Sequence, residues 1–391
     1  QSSALLQKTL SGAGFKIEKG VAGIPTAFIA EYGSGFPVIG ILGEYDALPG
    51  LSQEAKPVKS SAGGLAGHAC GHHLFGTASA AAAIAAKDWL AANGNSGTIR
   101  FYGCPAEEGG SGKVYMVREG LFDDVDIALH WHPAASNSAS ASAALANKSA
   151  KFRFYGVSAH AAGAPDKGRS ALDGVEAMNV MVNMMREHIP QSARIHYVIT
   201  DGGKAPNVVP DFAEVYYYAR HGKREVVIDI FDRIVKAAEG AALGTGTRMD
   251  YEMIGGTHEL LPNLTLQRIM HANLSLVGGV TYSDTEKDFA KKIGATLGVD
   301  KVDFETAAGV QPFMEVGTPY GSTDVGDVSF AVPTGGLRIA TWVPGTPAHS
   351  WQAVAAGGTT IGAKGMMVAA KTLALTTIDL LKRPEIAKKA R

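Results

Sequence analysis

Strand and helix signals alternate over the first third of this 391-residue chain, break off near Ala150, and resume from Leu261. Apolar runs at Thr26 to Ile29, Val38 to Leu42, Thr98 to Tyr102 and Ile127 to Leu129 read as buried strands. The alanine-rich run Thr77 to Ala92, closed by Asn93-Gly94, reads as a helix among them. Apolar strands separated by helices predict a mostly parallel sheet covered on both faces. Between these segments the period changes. Lys151 to Tyr155 alternates as a half-buried strand, and Ser170 to His188 is an amphipathic helix whose methionine stripe is expected to be core. Strands follow at Arg194 to Thr200 and Phe212 to Ala219, then a helix from Arg224 to Ala242 and a strand from Arg248 to Ile254. That order, βαββαβ, is the split ferredoxin-like motif. The chain therefore reads as α/β: a larger domain over residues 1–149 and 260–391, with a βαββαβ domain inserted at 150–259.

The balance of 36 basic and 37 acidic side chains, with no basic run, argues against nucleic acid or an anionic membrane as partner. Two cysteines imply no disulfide framework, and a reducing, cytoplasmic location fits. The most apolar helices, Thr77 to Ala92 and Gly365 to Leu381, are interrupted by Lys87-Asp88 and Lys371 and are short for a membrane span. Gln1 to Leu6 already reads as the inside of a helix, so residues upstream are expected.

Four clusters carry chemistry. In Gly67-His68-Ala69-Cys70-Gly71-His72-His73, small residues allow a tight turn that brings the Cys70 thiolate and the His72 imidazole to one point. Sulfur plus nitrogen donors suit zinc, manganese, cobalt or iron better than magnesium or calcium. In Cys104-Pro105-Ala106-Glu107-Glu108-Gly109-Gly110, Pro105 ends a strand and two adjacent carboxylates follow it. Such a pair repels unless a cation or a shared proton intervenes. A metal centre resolves the repulsion if one glutamate binds the ion and its neighbour acts as a base on bound water. His130-Trp131-His132-Pro133 closes another apolar strand, and Gly345-Thr346-Pro347-Ala348-His349 puts a histidine in a Gly/Pro turn. A lone histidine in a turn is more often a surface or capping residue. Four ligand-bearing clusters, all where strands give way to loops, point instead to one site at the edge of an open sheet. Cys104, inside its strand, reads as a small buried hydrophobe.

These stretches, together with Gly43-Glu44-Tyr45-Asp46-Ala47-Leu48-Pro49-Gly50, Ser158-Ala159-His160, Gly168-Arg169-Ser170, Pro206-Asn207-Val208-Val209 and Ser322-Thr323-Asp324, resemble the aminoacylase-type metallopeptidases. The likeness is to the branch containing hippurate, auxin-amino acid and p-aminobenzoyl-glutamate hydrolases, and it covers nearly the whole chain. It implies a catalytic α/β domain with an inserted lid through which two copies dimerise.

Position by position, the resemblance implies Cys70, His72, Glu108 and His349 as ligands of two divalent ions, manganese or zinc, with Glu107 as general base. The fifth ligand is His130 or His132, depending on the branch. The Trp-His-Pro triplet of the p-aminobenzoyl-glutamate branch favours His132. His73 departs from the usual asparagine or aspartate and is expected to orient His72, while Asp46 is expected to orient a ligand or the base. The counterpart of His160 reaches into the partner subunit's site to hold the oxyanion, and Asn207 and Arg220 match residues that hold the substrate carboxylate. The implied activity is hydrolysis of an N-acyl or N-aroyl amino acid by Glu-assisted attack of metal-bound hydroxide, with p-aminobenzoyl-glutamate as the leading substrate. A dipeptide and an auxin conjugate are the alternatives within the class. A homodimer through the lid is expected, with or without a related second subunit. The reading from another class is a regulatory or binding subunit of a hetero-oligomer, which has no need of Glu107.

Overall fold

Ile39, Ile41 and Leu42, all wholly buried, supply the apolar run that puts a strand near the centre of the larger sheet. The computed structural model describes residues 1–141, 143–317 and 321–390. Its strands are, in chain order, β1 (Lys16–Lys19), β2 (Phe28–Ser34), β3 (Val38–Glu44), the short pair β4 (Leu48–Pro49) and β5 (Ala66–Gly67), β6 (Gly97–Cys104) and β7 (Ile127–Ala134). They continue with β8 (Ala146–Tyr155), β9 (Arg194–Asp201), β10 (Phe212–His221), β11 (Arg248–Thr257) and β12 (Thr334–Ala340). Contacts gather them into two units. One is Gln1–Ser142 with Leu261–Thr318 and Asp327–Arg391; the other is Ala143–Leu260 with Pro319–Gly326.

The first unit holds a six-stranded sheet in the order β1-β2-β6-β3-β7-β12. The last four strands in that order are parallel, and β1 and β2 form an antiparallel edge. The helix His72–Asn93 lies on β3, β6 and β7, with Ala78, Ala82, Ala83 and Ala86 fully buried. Alanine lets helix and sheet approach closely, and Gly76 takes this furthest: a Cβ there would stand 2.7 Å from the Glu44 carbonyl oxygen. The helix Thr360–Lys382 packs on this helix, and Leu264–Val277 packs on β12. On the opposite face Phe122 stacks on Tyr102 at 4.3 Å and Val125 sits beside Gly40. Burying each of these larger side chains is worth about 1.5–3 kcal/mol.

Parallel strands end on one edge. From β3 the chain reaches β6 on one side and then β7 on the other, so the edge beyond their C-terminal ends is a switch point where an open α/β sheet leaves a crevice.

The second unit is an antiparallel sheet in the order β11-β8-β10-β9. The helices Ala171–Met185 and Arg224–Thr245 cover one face, where Phe152, Phe154, Val215 and Tyr217 meet Val175, Met178, Ile230 and Phe231. Alternation turns Tyr216 and Tyr218 to the other face, where they are half-buried. The methionine stripe does not behave as one core surface. Met178 is wholly buried, but Met181 and Met184 are 42% and 67% exposed. Met181, three residues on, sits at the rim of the packed stripe beside Gly240 of the neighbouring helix, and Met184, six residues on, has turned off it. No helix among the described residues is long and apolar enough to cross a membrane.

Candidate active site

Gly71 makes the Cys/His turn. Its φ is 77°, and a Cβ would press within 2.6 Å of Pro133, so only glycine lets Cys70 and His72 face the end of β7. Cys70 Sγ lies 3.4 Å from His132 Nε2, and the His132 ring stands edge-on to His72 at 5.8 Å. His130 sits two residues back along the same strand, its ring over Gly336 of β12, where burial drives its pKa to about 3. Donor atoms of Cys70, His72 and His132 fall within 4.8 Å of one another.

His349 reaches the same place from far along the chain. Its backbone is left-handed (φ 60°), a conformation histidine tolerates better than most residues, and its N–H donates to Ala69 O at 3.0 Å. Its Nε2 lies 3.4 Å from Glu108 Oε2, and donors of Cys70, Glu108 and His349 form a second group within 4.8 Å. The two adjacent glutamates diverge. Glu108 turns to His349, whereas Glu107 groups with His72 and Glu44. Ala106, just before them, is left-handed (φ 60°), a strained position of the kind that re-aims side chains at functional sites.

Asp46 ties the clusters together. One carboxylate oxygen is 2.9 Å from His72 Nδ1, and the other accepts the Glu108 N–H at 2.9 Å. Burial pushes its carboxyl up, but the His72 hydrogen bond and charge outweigh this and hold it at about 2. Glu44, at the end of β3, meets His72 Nε2 at 3.1 Å and Lys113 Nζ at 2.6 Å. Neither Glu44 nor Lys113 was singled out in the sequence. The available signal was the two-residue spacing of Glu44 and Asp46 at a strand end, which gives them access to the same imidazole. His73 does not orient His72. Its ring lies 3.2 Å from Gly357 O and 4.8 Å from the His68 ring, because consecutive helical residues point in different directions.

The donor set fits divalent ions. His72 Nε2, for all its closeness to Glu44, and Glu108 Oε1 are buried without an aligned hydrogen bond, a costly state that a cation relieves. Surplus negative charge gathers here too: hydrogen bonds to Cys70 and Glu108 push the His349 imidazole up to about 10. One thiolate, three imidazoles and a carboxylate suit zinc or manganese.

His160, Asn207 and Arg220 belong to the second unit. His160 Nδ1 accepts the N–H groups of Ala162 and Gly163 at 3.2 and 3.1 Å, and His160 itself makes an isolated β-bridge to Val208, beside Asn207. Arg220 lies at the far end of β10, its guanidinium 5.1 Å from the Tyr218 ring. At about 3.4 Å per residue, Arg220 stands roughly 27 Å along β10 from Phe212, and Asn207 lies in the turn before that strand. One chain brings His160 and Asn207 together and keeps Arg220 from both.

Residues 40–278 match the model of peptidase family M20/M25/M40. The chain is 46% identical to one of the subunits of the p-aminobenzoyl-glutamate hydrolase of Escherichia coli, over 97% of this chain and 84% of that protein. It is 28% identical to the Xaa-Arg dipeptidase of Mus musculus, over 93% of this chain and 76% of that protein. Among solved structures it resembles the YXEP protein of Bacillus subtilis, a dinuclear metal-binding peptidase of the M20 family. That likeness has a TM-score of 0.63 and 18% identity, covers 98% of this chain and 92% of that one, and concerns the fold. The chain belongs to peptidase family M20/M25/M40 and is a hydrolase of amide bonds.

Proposed function

We propose that this chain cleaves the amide of an N-aroyl amino acid, p-aminobenzoyl-glutamate first among them, with Cys70, His72, Glu108, His132 and His349 holding two divalent ions. The observation that carries this reading is the convergence of the two donor groups on Cys70, with Glu107 beside His72 but outside the ligand pair Glu108 and His349. The 46% identity to a p-aminobenzoyl-glutamate hydrolase subunit supports the substrate.

When bound, the ions would lower the pKa of a water and polarise the amide carbonyl. The protein's own work is then proton transfer and positioning. Glu107 accepts the proton of the attacking water and delivers it to the departing amine nitrogen, so a carboxylate and an amine leave. Asp46 fixes the His72 ring and the Glu108 backbone together, so both donors hold their direction.

His160 donates to the developing oxyanion in a second copy's site. Asn207 and Arg220 hold the carboxylate of the substrate's amino acid. An exposed edge strand supports pairing of two copies: on β9, Val198 is 55% exposed, and Tyr197 and Ile199 are also open. Both cysteines are free and buried, which suits the cytoplasm.

The test is release of p-aminobenzoate from p-aminobenzoyl-glutamate by the purified chain, loaded with manganese or with zinc. Metal-dependent release that vanishes in Glu107→Gln is expected. Metal binding without release from this substrate, from dipeptides or from auxin conjugates would favour a subunit that needs a partner.

A further inference from the structure

On the face of the second unit's sheet opposite its two helices, charges separate along the strands. At one end, acids and bases neutralise each other: Glu214 meets Arg153 at 2.8 Å and Lys151 at 3.1 Å, and Arg153 also pairs with Glu252. At the other end the strands carry no acid across two successive rows. The first row reads Arg194, Arg220, Asn147, Thr257, and the next reads His196, Tyr218, Ser149, Gly255.

Arg194 and Arg220 are direct register partners. Like charges placed opposite each other in a sheet are destabilising. Arg220 has no hydrogen bond or ion pair among the described residues, and its Nε is buried without a partner. Arg194 spends one nitrogen on the carbonyls of Gln191 and Ala193, both at 2.8 Å, which fixes the fork while leaving its other nitrogens available. His196 stands beside them, held below its ordinary pKa by burial and then by the charges of Arg220, Arg186 and Arg194. Of these arginines, Arg186 is already bonded to Asn183 and to the Ile195 carbonyl. One guanidinium fork tied to backbone carbonyls and a second lying against the Tyr218 ring, with no acidic partner among the described residues, are placed to receive anionic groups.

We propose that Arg194 is the specificity residue of this enzyme: with Arg220 it takes the two carboxylates of an acidic amino acid, so that glutamate or aspartate conjugates are preferred over neutral ones. Residues directly opposed on neighbouring strands have Cβ atoms about 4.5–5.5 Å apart, the scale of the separation between the carboxylates of glutamate. The inference rests on the reading of Arg220 as the carboxylate-holding residue and adds the second cation that a dicarboxylate needs. A neutral amino acid would leave the Arg194 fork unpaired and gain nothing from it.

The experiment compares Arg194→Gln with the unaltered chain on p-aminobenzoyl-glutamate and p-aminobenzoyl-alanine, and measures binding of free L-glutamate and L-alanine by calorimetry. The expected result is a ~10–100-fold loss of kcat/KM on the glutamate substrate, mostly in KM, with the alanine substrate unchanged. Arg194→Lys should recover part of it, since the charge remains without the fork. Equal losses on both substrates, or none on either, would overturn the proposal. If neither substrate is hydrolysed by the unaltered chain, the hydrolase reading fails but calorimetry still decides. L-glutamate bound more weakly by Arg194→Gln upholds the site, and L-glutamate bound equally or not at all removes it.

Discussion

Lys113 Nζ lies 2.6 Å from Glu44 Oε1, and both side chains are withdrawn from solvent, at 0% and 1% exposure. Glu44 also meets His72, so this buried charge pair is built into the floor beneath the ligands. Removing one partner takes away the nearest countercharge of the other inside the fold. Lys113→Ala is expected to cost about 3–5 kcal/mol in denaturant unfolding. The double variant Lys113→Met, Glu44→Gln should recover part of that cost, and a single variant as stable as the parent would show that the pair does not hold the fold.

Asp46 binds two donors through its two oxygens, one to His72 and one to the Glu108 amide. Asp46→Ala should leave the fold intact by circular dichroism and weaken metal affinity by roughly 10–100-fold. Metal titration followed by elemental analysis measures this. Unchanged affinity would mean that His72 and Glu108 need no such support.

Glu286 carries a pH dependence away from the site. Burial pushes its carboxyl up, but hydrogen bonds from Lys364 (2.6 Å), Thr360 (2.5 Å) and the Ser283 N–H (2.7 Å) win and hold it at about 2, against an ordinary 4.5. Because the folded value is depressed, the stabilisation is fully present above pH 4.5 and lost as pH falls from there through about 2. Glu286→Gln should therefore destabilise by on the order of 2–3 kcal/mol at pH 7 and by progressively less toward pH 2. Unfolding free energies at pH 7 and pH 3 test it. An equal penalty at both would place the cost in packing instead.

The edge strand β9 tests the expected dimer. Val198 and Ile199 are exposed on an unpaired edge, so Val198→Lys with Ile199→Lys should convert a dimer to a monomer in light scattering. Turnover should fall with the dimer if His160 serves the other copy. A dimer that survives both lysines uses another surface.

The sequence determined the chemistry and the local geometry. The Gly-x-small run around Cys70 forces the turn, and the apolar strand ends place Glu107, Glu108 and His132 at one sheet edge. The change of period near Ala150 marks off the βαββαβ stretch from the segments on either side. These features depend on near neighbours, which a sequence displays. Tertiary structure decided what depends on register and end points. His130 and His132 share a face of β7, and only where that strand passes Gly336 and reaches Cys70 separates them. His73 looks like a partner of His72 in the sequence, yet the helix turns it to Gly357. The same limit hid the link between Glu44 and Lys113, 69 residues apart, and the separation of Arg220, near the end of β10, from the turn that holds Asn207. A side chain's direction follows from local backbone geometry, but what it meets is fixed by packing between segments that the sequence keeps far apart.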